Sequence, residues 1–190
     1  MRKTILILLF ALLGVLSARA AYFGVDGIYY NTISDTIVEV LSLSSEYSGS
    51  LVIPATVEYE GTTYKVTSIR RWAFSGCSGL TSVTIPEGVT SIGSEAFSGC
   101  SSLTSVEWNA VACQDFRYFS DRPFYNCENI TSITFGSQVE RIPAYLCYGM
   151  EKITSVTIPE GVTYIGPSAF NGCSGLTSFT IPEGVDTIWD

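Results

Sequence analysis

The chain has 190 residues, 18 acidic against 10 basic side chains, and no histidine. The length allows one sizeable hydrophobic core, and the acidic balance disfavours nucleic acid and anionic membrane surfaces as partners. Without histidine the chain lacks Ser–His and Cys–His nucleophile pairs and the His ligands of catalytic zinc. The composition therefore argues against an enzyme and predicts no cofactor.

The first twenty residues have the pattern of a secretory signal peptide. Arg2 and Lys3 precede an apolar run over residues 4–16, and residues 18–20 read Ala-Arg-Ala, a typical cleavage site. The apolar run is too short to cross a membrane as a helix, and no later segment is apolar for the roughly 18 residues that a span needs. We expect a secreted or cell-surface protein without membrane insertion, whose net charge downstream of residue 20 is 7 − 18 = −11.

Residues 21–48 predict an antiparallel β cap. The segment "DGIYYNTISDTIVEVLSL" alternates between apolar and polar residues on both sides of a turn near Ser34-Asp35, which predicts two strands. Such a cap covers the open end of a repeat array. Further on, "ATVEYEGTTYK" alternates around Glu60-Gly61 and predicts a β-hairpin inserted into an atypical first repeat.

Residues 49–190 form a repeat array of about five units, the last of which is incomplete at Asp190. Residues 80–102 and 153–175 agree at 17 of 23 positions, and a period of this length is typical of a solenoid. The equivalent apolar residues that set the period, with spacings of 23, 27, 23 and 23, are Leu80, Leu103, Ile130, Ile153 and Leu176.

Each repeat begins with the pattern L-x-x-V-x-I, which is the strand half of a leucine-rich repeat. An Ile-Pro-Glu-Gly turn follows, and then one helical or 3₁₀ coil carries an inward Ala-Phe pair. The positions expected in the core are Leu80, Val83, Ile85, Val89, Ile92, Phe97 and their equivalents. Stacked phenylalanines 74, 97, 124 and 170 would form an aromatic spine, interrupted at Cys147.

Several motifs closely resemble the BspA-like leucine-rich repeat proteins of gut and oral bacteria. These motifs are "LTSVTIPEGVTSIGSEAFSGCSSLTSV", "VDGIYYN", "VEWNAVACQDF" and "FGSQVERIPAYLCYGM". The resemblance covers essentially the whole chain after residue 20. It implies a solenoid with short parallel strands and 3₁₀ or helical turns after an antiparallel β cap. It also implies a surface-exposed, non-catalytic protein that binds matrix proteins, plasma proteins or partner cells.

The recurring cysteines allow two interpretations. Cys77, Cys100, Cys127 and Cys173 occupy one repeat position, so they are either a ladder of small buried thiols or, in an exported chain, a disulfide set. Parallel side chains on stacked repeats fit the disulfide torsion poorly, which favours thiols. One cysteine per solenoid turn also does not converge into a tetrahedral zinc site.

Glu160 and Glu183 are the best candidates for catalysis. They occupy equivalent positions in adjacent repeats, where two carboxylates could approach the roughly 5 Å separation of a retaining glycosidase. Both belong to an Ile-Pro-Glu-Gly turn, where solvated polar residues are ordinary. We therefore expect no catalytic residues and keep a glycan-active enzyme only as a remote alternative.

The most individual stretch is "NAVACQDFRYFSDRPFYN", where the repeat gains four residues. Its aromatic and arginine side chains have the composition of an interface hot spot, although such rings could instead tuck onto the flank of the stack. The candidate binding residues are Arg117, Tyr118, Phe119 and Arg122 in this stretch, and Glu107 on the strand face. That face is lined by serine and threonine side chains and is a second candidate surface, because repeat arrays bind on their strand face. The expected partner is a protein, with a glycan as a second possibility, and the alternative function is a structural spacer that displays a further domain beyond Asp190.

Overall fold

The computed structural model describes residues 22–41 and 46–188, so the predicted signal peptide lies outside the described residues. The described chain is built almost entirely of strands and turns. The strands are β1 (Tyr22–Val25), β2 (Ile28–Ser34), β3 (Ile37–Leu41), β4 (Ser48–Val52), β5 (Thr56–Tyr59), β6 (Thr62–Ile69), β7 (Gly79–Ile85), β8 (Ser91–Ile92), β9 (Ser105–Trp108), β10 (Ser132–Phe135), β11 (Arg141–Ile142), β12 (Tyr164–Ile165) and β13 (Thr187–Ile188).

The N-terminal cap has three antiparallel strands, β1, β2 and β3, rather than two. The additional turn lies at Asp26 and Gly27, whose φ angles are 50° and 83°. Two successive residues with positive φ form the tight turn that matches the twist of a hairpin. The Asp-Gly pair is itself a strong hairpin signal, but sequence reasoning began the alternating segment at this pair and so placed no strand before it.

The cap and the first repeat share one sheet. Strand β3 pairs in parallel with β6, and β6 pairs in parallel with β8. Strands β5 and β6 form the predicted hairpin, with φ angles of 48° at Glu60 and 78° at Gly61. The cap therefore continues the solenoid by backbone hydrogen bonds rather than only covering its end.

The main face of the solenoid is a parallel sheet in the order β10-β9-β7-β4. Ser105 pairs with Ser82 on one side and with Ser132 on the other, which aligns the repeats as the period predicts. The predicted core residues Leu80, Val83, Ile85, Val89, Ile92 and Phe97 are all buried, with exposed fractions of at most 7%. This burial confirms the leucine-rich repeat solenoid. In the last repeat the prediction is wrong for the equivalents of Val83 and Ile85, because Phe179 and Ile181 are 37% and 41% exposed.

A second face carries the other strand of each repeat. Strand β12 pairs in parallel with β11 and with β13. Between β8 and β11 the chain is irregular but still hydrogen-bonded: the N–H of Gln114 donates to Thr90 (2.9 Å) and that of Arg141 to Val111 (3.2 Å). The repeats therefore remain in register across the lengthened third repeat.

At the corner between the second face and the main sheet, each repeat turns through consecutive i→i+3 backbone hydrogen bonds. We number the corners along the chain: the first contains Phe74, the second Phe97, the third Phe124 and the fourth Cys147. Backbone hydrogen bonds also join neighbouring corners. The N–H groups of Phe74, Phe97 and Cys147 donate to the carbonyls of Ala96 (2.6 Å), Pro123 (2.8 Å) and Ala169 (2.8 Å), in that order. The aromatic spine forms inside these corners, with ring centroids 5.1 Å apart for Phe74–Phe97 and 5.3 Å apart for Phe97–Phe124. Beyond Cys147 the spine does not resume, because Phe170 packs against Phe135 and Phe179 instead.

The main sheet is irregular between the fourth and fifth repeats. Residues 155–158 form no strand, so parallel pairing of the "TSVT"-like segments holds only as far as β10. A cleft of about 420 Å³ separates β10 from this segment. Phe135 is only partly buried, whereas the larger Trp108 at the equivalent position of β9 is fully buried and pairs regularly. The Phe135 ring packs edge-on against the Phe170 ring, with centroids 6.5 Å apart.

The six cysteines are reduced and buried. Three thiols donate to a carbonyl of the preceding repeat: Cys100 to Phe74 (3.2 Å), Cys127 to Phe97 (3.0 Å) and Cys173 to Cys147 (3.1 Å). The cysteine ladder therefore bonds to the backbone of the spine.

Candidate partner-binding surface

The insertion loop, residues 113–122, leaves the second face and enters the third corner. Its first residue, Cys113, is fully buried at the position that Ile92 and Ile142 fill in neighbouring repeats, and Phe116 is 6% exposed. Just after the loop, the carbonyl of Pro123 accepts a hydrogen bond from the N–H of Phe97. The loop is therefore anchored in the core on both sides, and only its middle projects.

Tyr118 and Phe119 form the projecting part of the insertion loop. Each ring is 55% exposed, and Phe119 begins the 3₁₀ helix Phe119–Asp121. The guanidinium carbon of Arg117 lies 5.3 Å from the Tyr118 ring centroid. The Phe119 ring packs against the Tyr148 ring, with centroids 5.9 Å apart. Two large rings thus face solvent beside a cation, which is the composition of an interface hot spot.

Arg122 occupies a different environment from Arg117. Its guanidinium lies 4.7 Å from the Tyr125 ring and 5.0 Å from the Tyr148 ring, and its Nη1 donates to the carbonyl of Phe119 (2.5 Å). Burial lowers the pKa of this side chain. Arg122 therefore joins the third and fourth corners and holds the insertion loop from beneath, so that less of its surface is available to a partner.

Glu107 lies on the main sheet rather than with the insertion loop. Its carboxylate accepts hydrogen bonds from Thr84 and from the side-chain amide of Asn109, both at 3.1 Å. Its neighbours across the strands are Thr84 and Thr134. The structure thus distributes the five candidate residues over two surfaces, with Glu107 on the hydroxyl-lined sheet and the other four at the third corner.

A polar cluster that sequence reasoning missed fixes the base of the insertion loop. Asp115 accepts hydrogen bonds from the Tyr164 hydroxyl (2.6 Å) and the Ala144 N–H (3.0 Å), and it forms an ion pair with Arg141 (3.4 Å). The Arg141 guanidinium also stacks on the Tyr164 ring at 3.8 Å. Burial and the Asp115 hydrogen bond raise the pKa of Tyr164. These residues lie 49 positions apart in sequence, so only the repeat alignment could have brought them together.

A second exposed ring with an arginine lies at the first corner. Trp72 is 52% exposed, and the Arg71 guanidinium stacks on its ring at 3.8 Å. The sequence signal was available, because Trp72 occupies the repeat position that holds Glu95, Tyr145 and Ser168 elsewhere. Sequence reasoning concentrated on the added residues and overlooked this substitution.

Glu160 and Glu183 both lie on exposed turns. The described residues contain no group of three or more side chains suited to hold a metal ion. In the same part of the chain no helix is both long and apolar enough to cross a membrane. The strongest concentration of interaction chemistry is therefore at the corners.

Comparison with solved structures shows the same architecture in bacterial proteins. A leucine-rich repeat protein from Bacteroides ovatus is 31% identical with a TM-score of 0.59, and the match covers 88% of this chain and 43% of that protein. The T. pallidum leucine-rich repeat protein is 22% identical with a TM-score of 0.62, and the match covers 85% of this chain and 72% of that protein. A leucine-rich repeat protein from Eubacterium ventriosum is 22% identical with a TM-score of 0.56, and the match covers 89% of this chain and 48% of that protein.

The chain therefore spans less than half the length of the Bacteroides ovatus protein. A search among curated proteins gave no match. The family described as BspA type leucine-rich repeat region matches residues 60–177 in six copies, which include the insertion loop and the corners on both sides of it. The chain belongs to the BspA-type leucine-rich repeat family.

Proposed function

We propose that this protein is an exported, non-catalytic module that binds a protein partner at the cell surface through the third corner of its solenoid. The observation that carries the proposal is the exposure of Tyr118 and Phe119, which project from a loop anchored by Phe116 and Asp115. Large rings on a rigid support lose little conformational entropy on binding. Repeat arrays commonly bind partners through such lengthened units.

Two further features support a binding surface. The loop is joined to its neighbours by Arg122 and by the Asp115 cluster, so the rings are held in place before a partner arrives. The regular repeats offer mostly small hydroxyl side chains on the main sheet, which bury little area. Binding energy should therefore concentrate at the insertion loop, with Glu107 and the sheet contributing at the margin.

The proposal is tested by capture from a solubilised extracellular-matrix and cell-surface preparation with the immobilised protein. We expect the Tyr118→Ala/Phe119→Ala variant to lose the captured partner while its melting temperature stays within a few degrees of the parent. Tyr22→Ala removes a cap ring that is 52% exposed and serves as the matched control, which should retain capture. Equal capture by all three proteins would contradict the assignment and favour a spacer or another site.

The chemical class of the partner is tested with the same preparation. Capture should disappear when the preparation is digested with protease before it is applied, because we propose a protein partner. Capture that survives protease and disappears after glycosidase treatment would instead identify a glycan.

Absence of catalysis is tested separately. The purified protein should release no sugar from host-type glycans, because Glu160 and Glu183 lie on open turns. Glycan cleavage that disappears in Glu160→Gln would overturn the non-catalytic assignment.

A further inference from the structure

The first and third corners carry the same construction of an exposed ring beside an arginine. Arg71 stacks on Trp72 at 3.8 Å, and Arg117 lies 5.3 Å from the Tyr118 ring. We call these residues, together with Phe119, the corner ridge. Their three rings are each more than half exposed. Planar guanidinium groups stack on rings by their faces and leave their in-plane N–H groups available for a carboxylate.

The two parts of the corner ridge are two solenoid steps apart. The N–H of Trp72 donates to Ser94 (3.1 Å), and that of Glu95 donates to Asp121 (3.4 Å), next to the projecting rings. Hydrogen-bonded extended segments lie about 4.8 Å apart, so the two levels are separated by about 10 Å. A ligand that meets both levels must therefore extend over at least about that distance.

Basic charge is concentrated at these corners. Downstream of residue 20 the chain has seven basic residues. Within the described chain, the guanidinium groups of Arg71 and Arg117 form no ion pair, whereas Arg141 pairs with Asp115. Their donors are therefore available to an anionic partner. The four basic residues that lie at the first and third corners are Arg70, Arg71, Arg117 and Arg122.

The level between them carries the opposite charge. Glu95 occupies the second corner at the position equivalent to Trp72, whereas Asp121 lies at the third corner, beside the projecting rings. These carboxylates would repel a ligand that is acidic along its whole length. The pattern along the ridge is thus cation, anion, cation, and it favours a ligand whose two negative charges flank a neutral centre.

We infer that the corner ridge binds an extended acidic segment of a protein, with two carboxylates three residues apart and an apolar or proline-containing centre. This inference rests on the proposed function and specifies the chemistry of the partner. Three residues of polyproline II chain span about 9 Å, which is close to the separation of about 10 Å between the two backbone levels. The exposed rings of Trp72 and Tyr118 would contact the centre of the segment.

The probe is a synthetic peptide with the core Asp-Pro-Pro-Asp between glycine and serine flanks. An isomer with adjacent aspartates, Asp-Asp-Pro-Pro, has the same charge and composition, and Lys-Pro-Pro-Lys reverses the charge. We expect the first peptide to bind the whole protein in fluorescence titrations at low salt and the isomer to bind at least about threefold more weakly. The lysine peptide should not bind, and affinity should fall as salt screens the charges.

Variants of the protein then locate the site. Arg71→Ala and Trp72→Ala should each weaken binding of the first peptide by about threefold to tenfold. Glu95→Gln should strengthen it, because it removes the opposing charge. Lys152→Ala is the charge-matched control and should leave the affinity unchanged, since this lysine is bonded to Asn129 in another part of the molecule.

Each remaining outcome counts against the inference. Peptide binding that depends on Tyr118 but not on Arg71 or Trp72 would overturn the two-level ridge while leaving the proposed function intact. Partner capture that is unaffected by Tyr118→Ala/Phe119→Ala would instead refute the proposed function itself. Absence of peptide binding at millimolar concentration, or binding only of a sulfated polysaccharide such as heparin, would overturn the assignment to an acidic peptide.

Discussion

Arg117 and Arg122 differ in what they can contribute, although both lie in the insertion loop. Arg117 is exposed and has only the Tyr118 ring at 5.3 Å. Arg122 contacts two rings closer than that and donates to a carbonyl. A partly desolvated cation–π contact is worth more than an exposed one, so Arg122 should stabilise the fold whereas Arg117 should not.

We expect Arg122→Ala to lower the free energy of unfolding by about 1–3 kcal/mol, from the lost ring contacts and hydrogen bond. Arg117→Ala should change it by less than about 0.5 kcal/mol. Urea denaturation of the two variants measures the difference. Equal stability losses would contradict the structural role of Arg122.

The buried thiols predict how stability depends on pH. Burial raises the pKa of Cys113 to about 12, whereas an unfolded cysteine has a pKa of about 8.5. Above pH 8.5 the folded protein retains a proton that the unfolded chain has lost. The contribution of this thiol is therefore complete below that pH and decreases as the pH rises towards 12.

Cys113→Val tests this dependence, since the equivalent positions hold Ile92 and Ile142. Between pH 9 and 11 the free energy of unfolding of the variant should fall less steeply than that of the parent, by about 1 kcal/mol per pH unit. Identical slopes from denaturation at several pH values would show that this thiol does not titrate differently in the two states.

At the scale of single elements, the corner turn determines which residues each repeat accepts. Its last position has positive φ and is Gly76, Gly99, Gly149 and Gly172 in four repeats, whereas the third repeat has Asn126 with φ 57°. Asparagine tolerates this conformation better than other residues with a Cβ. An earlier turn position also has positive φ in the other corners, where it holds Trp72, Glu95, Tyr145 and Ser168. At the third corner this position is Arg122, whose φ is −58° because Pro123 follows and restricts its backbone.

Asn126→Ala should therefore cost about 1 kcal/mol, because alanine lacks the local hydrogen bonding that stabilises asparagine at positive φ. Asn126→Gly should be neutral or slightly stabilising, since it restores the residue found in the other corners. Thermal unfolding of both variants checks the order, and an alanine variant as stable as the glycine variant would contradict it.

The spine is an element that the repeat pattern predicted only in part. Phe97 is fully buried between two stacked rings, so Phe97→Ala should cost about 3–5 kcal/mol. Phe170→Ala should cost clearly less because this ring is only partly buried. Chemical denaturation measures both, and similar losses would mean that the spine is not continuous through Phe97.

For the whole molecule, the period and the apolar positions were sufficient to predict the solenoid, the pairing of Ser82, Ser105 and Ser132, and the inserted hairpin. Local pattern could not predict contacts between distant partners. The packing of Phe135 on Phe170 and the cluster of Asp115 with Tyr164 are examples. The sequence placed Glu107 on the strand face and the other four candidates in the loop, but the packing of Arg122 beneath the loop required the three-dimensional structure.

The central claim is that partners bind mainly at the corners rather than on the main sheet. Amide hydrogen exchange of the whole protein, with and without the captured partner, tests it most directly. We predict added protection in residues 71–76 and 114–122, with clearly smaller changes in β7 and β9. Protection confined to Gly79–Ile85 and Ser105–Trp108, with the insertion loop unchanged, would contradict the account.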